Sequence, residues 1–389
     1  MKKPLRIVVA VLATMTSLCA QESPETAYCE GRMPMNSCDP ATTKTNSAKN
    51  RYAKDPAVRA HEPVDVFLES PCFTVGAEFT ALFMKASGSS LHYAAEAIPF
   101  PIQTPSWEIY EVNPGYKFGF DAGIGWMFHS LNTNLSANWT RVYSNSSASM
   151  EVPLASDMVG PFFSIGPDAN FFKQASAHAA FHFDEVSLDY GTYIHFGNRL
   201  HTNLFAGLAY TRIKQTLTST YASADSSIIL SVDTPSTFIG GGPQLGLDFA
   251  YRIVKGLHLT GDVAFDLLTG SLRNHTDYST TSPLLATLGL PNPNFQSTTV
   301  PDRLQVVPGI ESRLGFAYSV AFGKHYVIDL EAGYETKIYM NAVQSTDMGS
   351  QVTTETVVTT GAGVYARTFQ RTLSNFALSG PYATLAFGF

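Results

Sequence analysis

Residues 117–128 (KFGFDAGIGWMF) alternate between two kinds of side chain. The even positions carry Phe, Phe, Ala, Ile, Trp and Phe, whereas the odd positions carry Lys, Gly, Asp, Gly, Gly and Met. Successive side chains point to opposite faces of a β-strand, so the segment is predicted to be a strand with one aromatic face. Such strands occur in soluble antiparallel sheets, where the apolar face is buried, and in outer-membrane barrels, where it meets lipid.

The same alternation recurs along the chain and predicts ten strands. They cover residues 73–83, 117–128, 134–143, 185–196, 200–210, 244–253, 257–267, 305–322, 326–338 and 385–389. Short turns near 129–132, 197–199, 254–256 and 323–324 alternate with long polar links at 87–114, 144–182, 214–235, 271–302 and 341–373. This layout is typical of an outer-membrane barrel with periplasmic turns and extracellular loops. We predict an all-β, transmembrane antiparallel barrel of about 10–14 strands, because a long link can contain a further hairpin.

The distribution of charge distinguishes an apolar face that meets lipid from one that is buried in a soluble protein. Charged residues make up 15% of the chain, compared with about 25% in soluble domains. The apolar phase of the predicted strands carries only Lys85, Arg141 and Arg212, with Asp184 at a strand entrance. A cation at mid-bilayer costs about 2–4 kcal/mol, whereas one at a strand end meets lipid phosphates. The apolar phase is therefore predicted to face lipid, and it includes Phe120, Ile124, Phe249 and Phe316.

The polar phase is the candidate functional surface, with eleven acids against five bases. The predicted pore-lining residues are Lys117, Asp121, Glu185, Asp189, Asp248, Arg252, Asp262, Asp266, Glu311, Arg313, Asp329, Glu331, Glu335 and Lys337. Acidic rings favour cations in a pore. We predict a passive diffusion channel for small hydrophilic solutes and ions, mildly cation-preferring, that is also an abundant envelope component. The alternative is a barrel-anchored adhesin or structural envelope protein whose paired charges plug the lumen.

The N-terminal part lacks the alternation and divides into two predicted segments. Residues 1–20 are predicted to be a secretory signal, since Lys2, Lys3 and Arg6 precede an apolar run. Residues 21–71 are predicted to be a flexible periplasmic arm, and residues 72–389 the barrel. Removing the signal deletes three positive charges and changes the formal net charge from −7 to −10. Nucleic acid is therefore excluded as an expected partner.

Three cysteines follow the predicted signal, namely Cys29, Cys38 and Cys72. Export permits disulfides, so Cys29 and Cys38 are candidates for a small loop that leaves Cys72 for another chain. Free thiols are the alternative. No His or second Cys pair stands at ligand spacing, so no metal or cofactor is predicted. His178 and His182 share a strand face without converging geometry, which also argues against a metal cluster. We predict no enzymatic activity, because no His, nucleophile or acidic pair is spaced to cluster at one rim of the barrel, as outer-membrane phospholipases and proteases require.

The C-terminal strand ends on Leu385, Phe387 and Phe389, which share one phase. This ending resembles the signal by which assembly machinery recognises outer-membrane barrels. The expected partners are that machinery, outer-membrane lipid and lipopolysaccharide, with a homo-oligomer or disulfide-linked neighbours in addition. The expected location is the outer membrane of a Gram-negative bacterium.

Several short motifs resemble the major outer-membrane proteins of chlamydia-related bacteria and legionellae. They are residues 72–79 (CFTVGAEF), 91–94 (LHYA), 238–246 (FIGGGPQLG), 267–270 (LLTG), 307–311 (VPGIE), 314–316 (LGF) and 333–337 (GYETK). Their order and spacing span nearly all of the chain after residue 70. The chain has few of the tryptophans typical of that family, with only Trp107, Trp126 and Trp139. The resemblance implies a porin-like pore and, as in the chlamydial members, an envelope braced by disulfides.

Overall fold

The computed structural model describes most of the chain after residue 73. The described residues are 74–88, 91–98, 106–128, 131–152, 158–160, 172–196, 199–254, 256–283, 291–322, 326–352 and 364–388. The predicted signal, the predicted arm, the three cysteines and Phe389 lie outside these ranges and stay predictions.

Ten long strands form a closed antiparallel barrel, which confirms the predicted fold class. The strands of the chain are β1 Thr74–Gly88, β2 His92–Ile98, β3 Ser106–Glu111, β4 Tyr116–Phe128, β5 Thr133–Glu151, β6 Met158–Gly160, β7 Gln174–Phe196, β8 Leu200–Ala222, β9 Ile229–Val254, β10 Leu257–Thr281, β11 Asn294–Phe322, β12 Tyr326–Val352 and β13 Val364–Gly388. The wall runs β1-β13-β12-β11-β10-β9-β8-β7-β5-β4, and β1 closes it by pairing with both β13 and β4. In the described part of the chain, there is no helix with the length and apolar character that crossing a membrane requires.

The strand ends that flank the four predicted short turns lie at one end of the barrel. Two of these turns contain a residue in the left-handed region, Asn132 with φ 54° and Gly256 with φ 73°. Tight hairpins need such residues, and asparagine and glycine adopt that conformation at the lowest cost. We call the wall nearer these turns the short-turn half (residues 257–267 on β10, for example) and the wall nearer the other connections the long-loop half (268–281 on β10).

The strands are longer than the sequence predicted. β10 has 25 residues, whereas crossing the hydrocarbon core of a bilayer takes about 9–11. The predicted polar links are therefore shorter than expected: most of 214–235 belongs to the β8–β9 hairpin, and most of 271–302 belongs to β10 and β11. The link 87–114 contains β2 and β3, which form a separate small sheet in the order β3-β2-β6.

The interior of the long-loop half is filled by an apolar layer. Its largest fully buried side chains are Leu82, Met84, Phe172, Phe181, Phe183, Ile213, Tyr221, Leu230, Phe238, Leu268, Tyr339 and Phe376. The small sheet joins this layer, because Tyr93 and Ala94 of β2 are buried against it and the Tyr221 hydroxyl donates to the Tyr93 carbonyl. Apolar side chains packed against one another and away from water in this way resemble the core of a soluble protein.

Candidate functional site: an acid-lined chamber inside the barrel

The interior of the short-turn half is polar and encloses a cavity of about 540 Å³. Its lining extends from Glu185 and Glu311, beside the apolar layer, to Gly76, His201 and Gly388 near the short-turn ends of the strands. Inward-facing side chains supply this lining because alternate residues of every strand point into the barrel. We call this cavity the chamber.

A buried ammonium group lies at the inner end of the chamber. Lys337 Nζ of β12 is 3.2 Å from Glu185 Oε1 of β7 and 3.0 Å from both carboxylate oxygens of Glu311 on β11. The Tyr339 hydroxyl donates to both acids, at 2.7 Å for Glu311 Oε1. Lys337 and Glu185 are each only 5% exposed. Since β12 and β7 are not neighbours in the wall, this cluster joins opposite sides of the barrel.

A second cation extends the same cluster toward the chamber. Arg313 donates to Glu335 Oε2 from Nη2 at 3.1 Å and from Nε at 3.2 Å. Its guanidinium also lies 4.8 Å from the centre of the Tyr382 ring, whose hydroxyl donates to Glu331. Charges buried in this way must be paired, because removing one partner leaves the other charge uncompensated.

The polar chamber and the apolar layer are in direct contact. Lys337 Nζ lies 5.7 Å from the centre of the Phe183 ring, and the rings of Phe183 and Tyr339 lie 5.5 Å apart. Phe183 also stacks on Phe376, at 6.1 Å between ring centres. These aromatic side chains of the apolar layer therefore pack directly against the buried ion cluster.

Other acids of the chamber are only partly satisfied. Within the described ranges, buried carboxylate oxygens without a hydrogen-bond partner belong to Asp189, Asp248, Asp262, Asp266 and Asp329. The second oxygen of Asp189 accepts from Ser187 at 2.9 Å, and that of Asp248 accepts from Asn203 at 3.0 Å. Unpartnered buried carboxylates are costly unless water or a cation reaches them.

Ten of the fourteen predicted pore-lining residues line the chamber: Asp121, Glu185, Asp189, Asp248, Asp262, Glu311, Arg313, Asp329, Glu331 and Lys337. Asp266 and Glu335 are buried beside them, and Glu335 is the partner of Arg313. Arg252 lies near the short-turn end of β9, with His258 as its Cα partner. Lys117 lies away from the chamber, because its Cα partner is Met84, which belongs to the apolar layer. Whether any of these residues lines a conducting pore stays a prediction.

The sequence prediction missed three aromatic members of the site. Tyr339 and Tyr382 hydrogen-bond the interior acids, and Phe183 covers Lys337. Strand parity alone was sufficient to place Tyr339 on the inward phase with Glu335 and Lys337. Of the four predicted outward positions, Ile124 and Phe316 are 47% and 57% exposed, whereas Phe120 and Phe249 are half-buried.

A sequence model of the family described as Legionella pneumophila major outer membrane protein precursor matches residues 69–389. The chain belongs to this Legionella major outer membrane protein family. Membership confirms the resemblance drawn from the motifs and the predicted location in the outer membrane of a Gram-negative bacterium. No curated protein sequence matches the chain.

Several solved outer-membrane proteins are similar to the chain at low identity. The outer membrane protease OmpT from Escherichia coli shows 10% identity and a TM-score of 0.38 over 83% of this chain and 99% of that one. A major outer membrane protein from Thermus thermophilus shows 12% identity and a TM-score of 0.27 over 62% and 99%. A Pseudomonas aeruginosa FadL homologue shows 6% and 0.21 over 86% and 95%. With TM-scores below 0.5, none of the three indicates what this chain does.

Proposed function

We propose that this outer-membrane barrel is a porin whose acid-lined chamber favours small cations and hydrophilic solutes. The observation that carries the proposal is the set of buried carboxylate oxygens without a partner along the chamber wall. A barrel that serves only as an anchor gains stability from paired or apolar interior groups. Unpaired acids are tolerable where mobile water and cations enter, and rings of such acids select cations.

The described conformation corresponds to a closed state of the proposed channel. The apolar layer, in which the rings of Phe181 and Phe183 both pack on Phe376 across the interior, separates the chamber from the long-loop end. Apolar constrictions of this kind gate channels by excluding water. Conduction therefore requires displacement of part of this layer, for which the small sheet that packs against it is the candidate moving element.

The second candidate function is favoured by the same apolar layer. If the layer is permanent, the protein is a plugged barrel that anchors its long-loop half at the cell surface as an adhesin or structural component. The two candidates differ in one property, the passage of ions across the barrel. The absence of enzymatic activity stays a prediction in both cases.

Planar-bilayer conductance of the purified full-length protein tests the proposal. We expect discrete conductance steps and a reversal potential that indicates modest cation preference in dilute salt, fading as the salt concentration rises. The fading follows because charges act over about 8 Å at physiological ionic strength and less in stronger salt. The matched variants are Asp248→Asn with Asp262→Asn, which are Cα partners in the chamber wall, and Asp225→Asn in the β8–β9 turn as control.

The double variant should lose most of the cation preference, and the Asp225→Asn variant should keep it. Anion preference in the unmodified protein would contradict the selectivity and assign the constriction to Arg252, Arg313 and Lys337. Complete absence of conductance at all applied voltages would contradict the porin proposal and favour the plugged anchor.

A further inference from the structure

Three carboxylates from different strands converge at the inner end of the chamber. One oxygen each from Glu185 on β7, Asp266 on β10 and Glu311 on β11 lies within 4.8 Å of the other two. Two strands, β8 and β9, separate β7 from β10 in the wall, so the three acids meet across the lumen. The barrel as a whole, and no single hairpin, produces this arrangement.

Asp266 is the member whose charge has no partner. Its side chain is buried, with the residue 4% exposed, and neither carboxylate oxygen has a hydrogen-bond partner among the described residues. Its Cα partner on β11 is Gly309, where an added Cβ would lie 3.0 Å from Asp266 Oδ2. The carboxylate therefore occupies space that a side chain at position 309 would restrict, next to Glu311. A buried acid held in this way needs a counter-charge.

The formal charges of the cluster leave an excess of two negative charges, which one divalent cation would neutralise. Glu185, Asp266, Glu311 and Glu335 carry four negative charges, whereas Lys337 and Arg313 carry two positive charges. The difference is 4 − 2 = 2 negative charges. Glu185 Oε1 and Glu311 Oε2 each accept from Lys337 Nζ, and each keeps a second lone pair for a metal.

We propose that Glu185, Asp266 and Glu311 bind a divalent cation of the size of Ca²⁺ inside the barrel. The proposal deepens the proposed function and rests on a chamber that admits ions. Ca²⁺ binds oxygen ligands at about 2.3–2.6 Å, so one ion spans two oxygens up to about 5 Å apart. Mg²⁺ requires about 2.0–2.1 Å and spans only about 4.2 Å. The three oxygens lie within 4.8 Å of one another, inside the reach of Ca²⁺. Mg²⁺ also demands near-ideal octahedral geometry and loses its water reluctantly, so carboxylates from three separate strands favour the larger ion. An all-carboxylate set disfavours soft metals.

Binding has a mechanical consequence, because the ion ties together strands on opposite sides of the barrel beneath the apolar layer. The bound ion stabilises the folded state by mass action. It also lies where cations would leave the chamber toward Phe183, so it adds a positive charge at the closed end of the proposed pathway.

Thermal unfolding of the metal-free full-length barrel in detergent micelles tests the site. We expect Ca²⁺ to raise the melting temperature, and Mg²⁺ at the same concentration to raise it clearly less. Asp266→Asn should abolish the Ca²⁺ response, whereas the matched control Asp329→Asn, another chamber acid with an unpartnered oxygen, should keep it. A third variant, Gln244→Lys, places an ammonium group at the Cα partner of Asp266 on β9 and should remove the need for Ca²⁺.

Two results would overturn the proposed site. One is a melting temperature of the unmodified protein that does not change with Ca²⁺. The other is an equal Ca²⁺ response in Asp266→Asn and Asp329→Asn, which would indicate diffuse attraction by the whole chamber. The melting assay is independent of conductance. A barrel that binds Ca²⁺ without conducting therefore contradicts the porin proposal alone, and one that conducts without responding contradicts the site alone.

Discussion

The two halves of the barrel have opposite polarity, as strand β10 illustrates. In the short-turn half its outward residues include Phe265 and Leu267, and its inward residues include Asp262 and Asp266. In the long-loop half the inward residues include Leu272 and Tyr278, and the outward residues include Ser271, Arg273, His275 and Asp277. The strand keeps its alternation throughout, but the apolar face changes from outside to inside.

This reversal indicates that the two halves lie in different surroundings. Apolar side chains are favoured wherever they are removed from water, by lipid outside the short-turn half and by one another inside the long-loop half. The outward apolar stretch of β10, residues 257–267, has the length that crosses a bilayer core. The salt bridge Arg273–Asp302, at 2.8 Å on the outer face, is suited to water. The chamber lies in the half of the barrel whose apolar side chains face outward to lipid.

The largest expected effect comes from opening the apolar layer. Phe238→Ala removes a fully buried ring from the long-loop half and should lower the free energy of unfolding by about 3–5 kcal/mol. The matched variant Gln244→Ala, six residues along the same inward face of β9, borders the chamber and should have a much smaller effect. Urea unfolding in lipid vesicles, followed by tryptophan fluorescence, measures both. Equal losses would mean that the two halves do not differ in interior packing.

The next effect concerns the outer face. Phe265→Arg places a cation against lipid within the apolar stretch 257–267. A cation there costs up to about 2–4 kcal/mol at the bilayer midplane and less toward the interface, so the change should lower the yield of folded barrel in the outer membrane. His275→Arg is ten residues further along the same outward face, beside Asp277 at 3.6 Å, and should assemble normally. Heat-modifiable migration on gels measures the folded fraction. Damage of equal size at both positions would place the long-loop half in lipid as well.

The smallest effect concerns the β8–β9 turn, where local contacts replace lipid. Hydrogen bonds from the hydroxyl groups of Ser223 and Ser227 and from the Ser227 amide lower the pKa of Asp225 to about 2. Because the folded pKa lies below the ordinary 3.8, the carboxylate stabilises the turn above pH 3.8, and this contribution is lost as the pH falls toward 2. A carbon-detected NMR titration should show a midpoint near 2, returning toward 3.8 in a variant with Ser223→Ala and Ser227→Ala. An unchanged midpoint in that variant would contradict these hydrogen bonds.

Much of the wall was predictable because the side-chain period of a strand is two. Alternation located all ten barrel strands, their inward acids and the four short turns. It also assigned Phe120 and Ile124 to one face and Asp121 to the other. It failed where polarity reversed: the polar outward residues of segments such as 271–281 resemble a loop when the apolar face is expected outside. Parity put Lys117 on the inward face but not at a height along the barrel, and the structure places it beside the apolar layer.

The amino-acid sequence by itself determined the strands, their two faces and the family, because these depend on neighbouring residues and short motifs. Only the tertiary structure decided which interior charges meet. Lys337 reaches Glu185 at a separation of 152 residues, and Asp266 approaches Glu185 across two intervening strands. Such contacts depend on the number of strands and on their register around the closed wall, and no local pattern encodes either one. The apolar layer over the chamber is likewise a property of the closed barrel, since its side chains are buried only when all ten strands surround them.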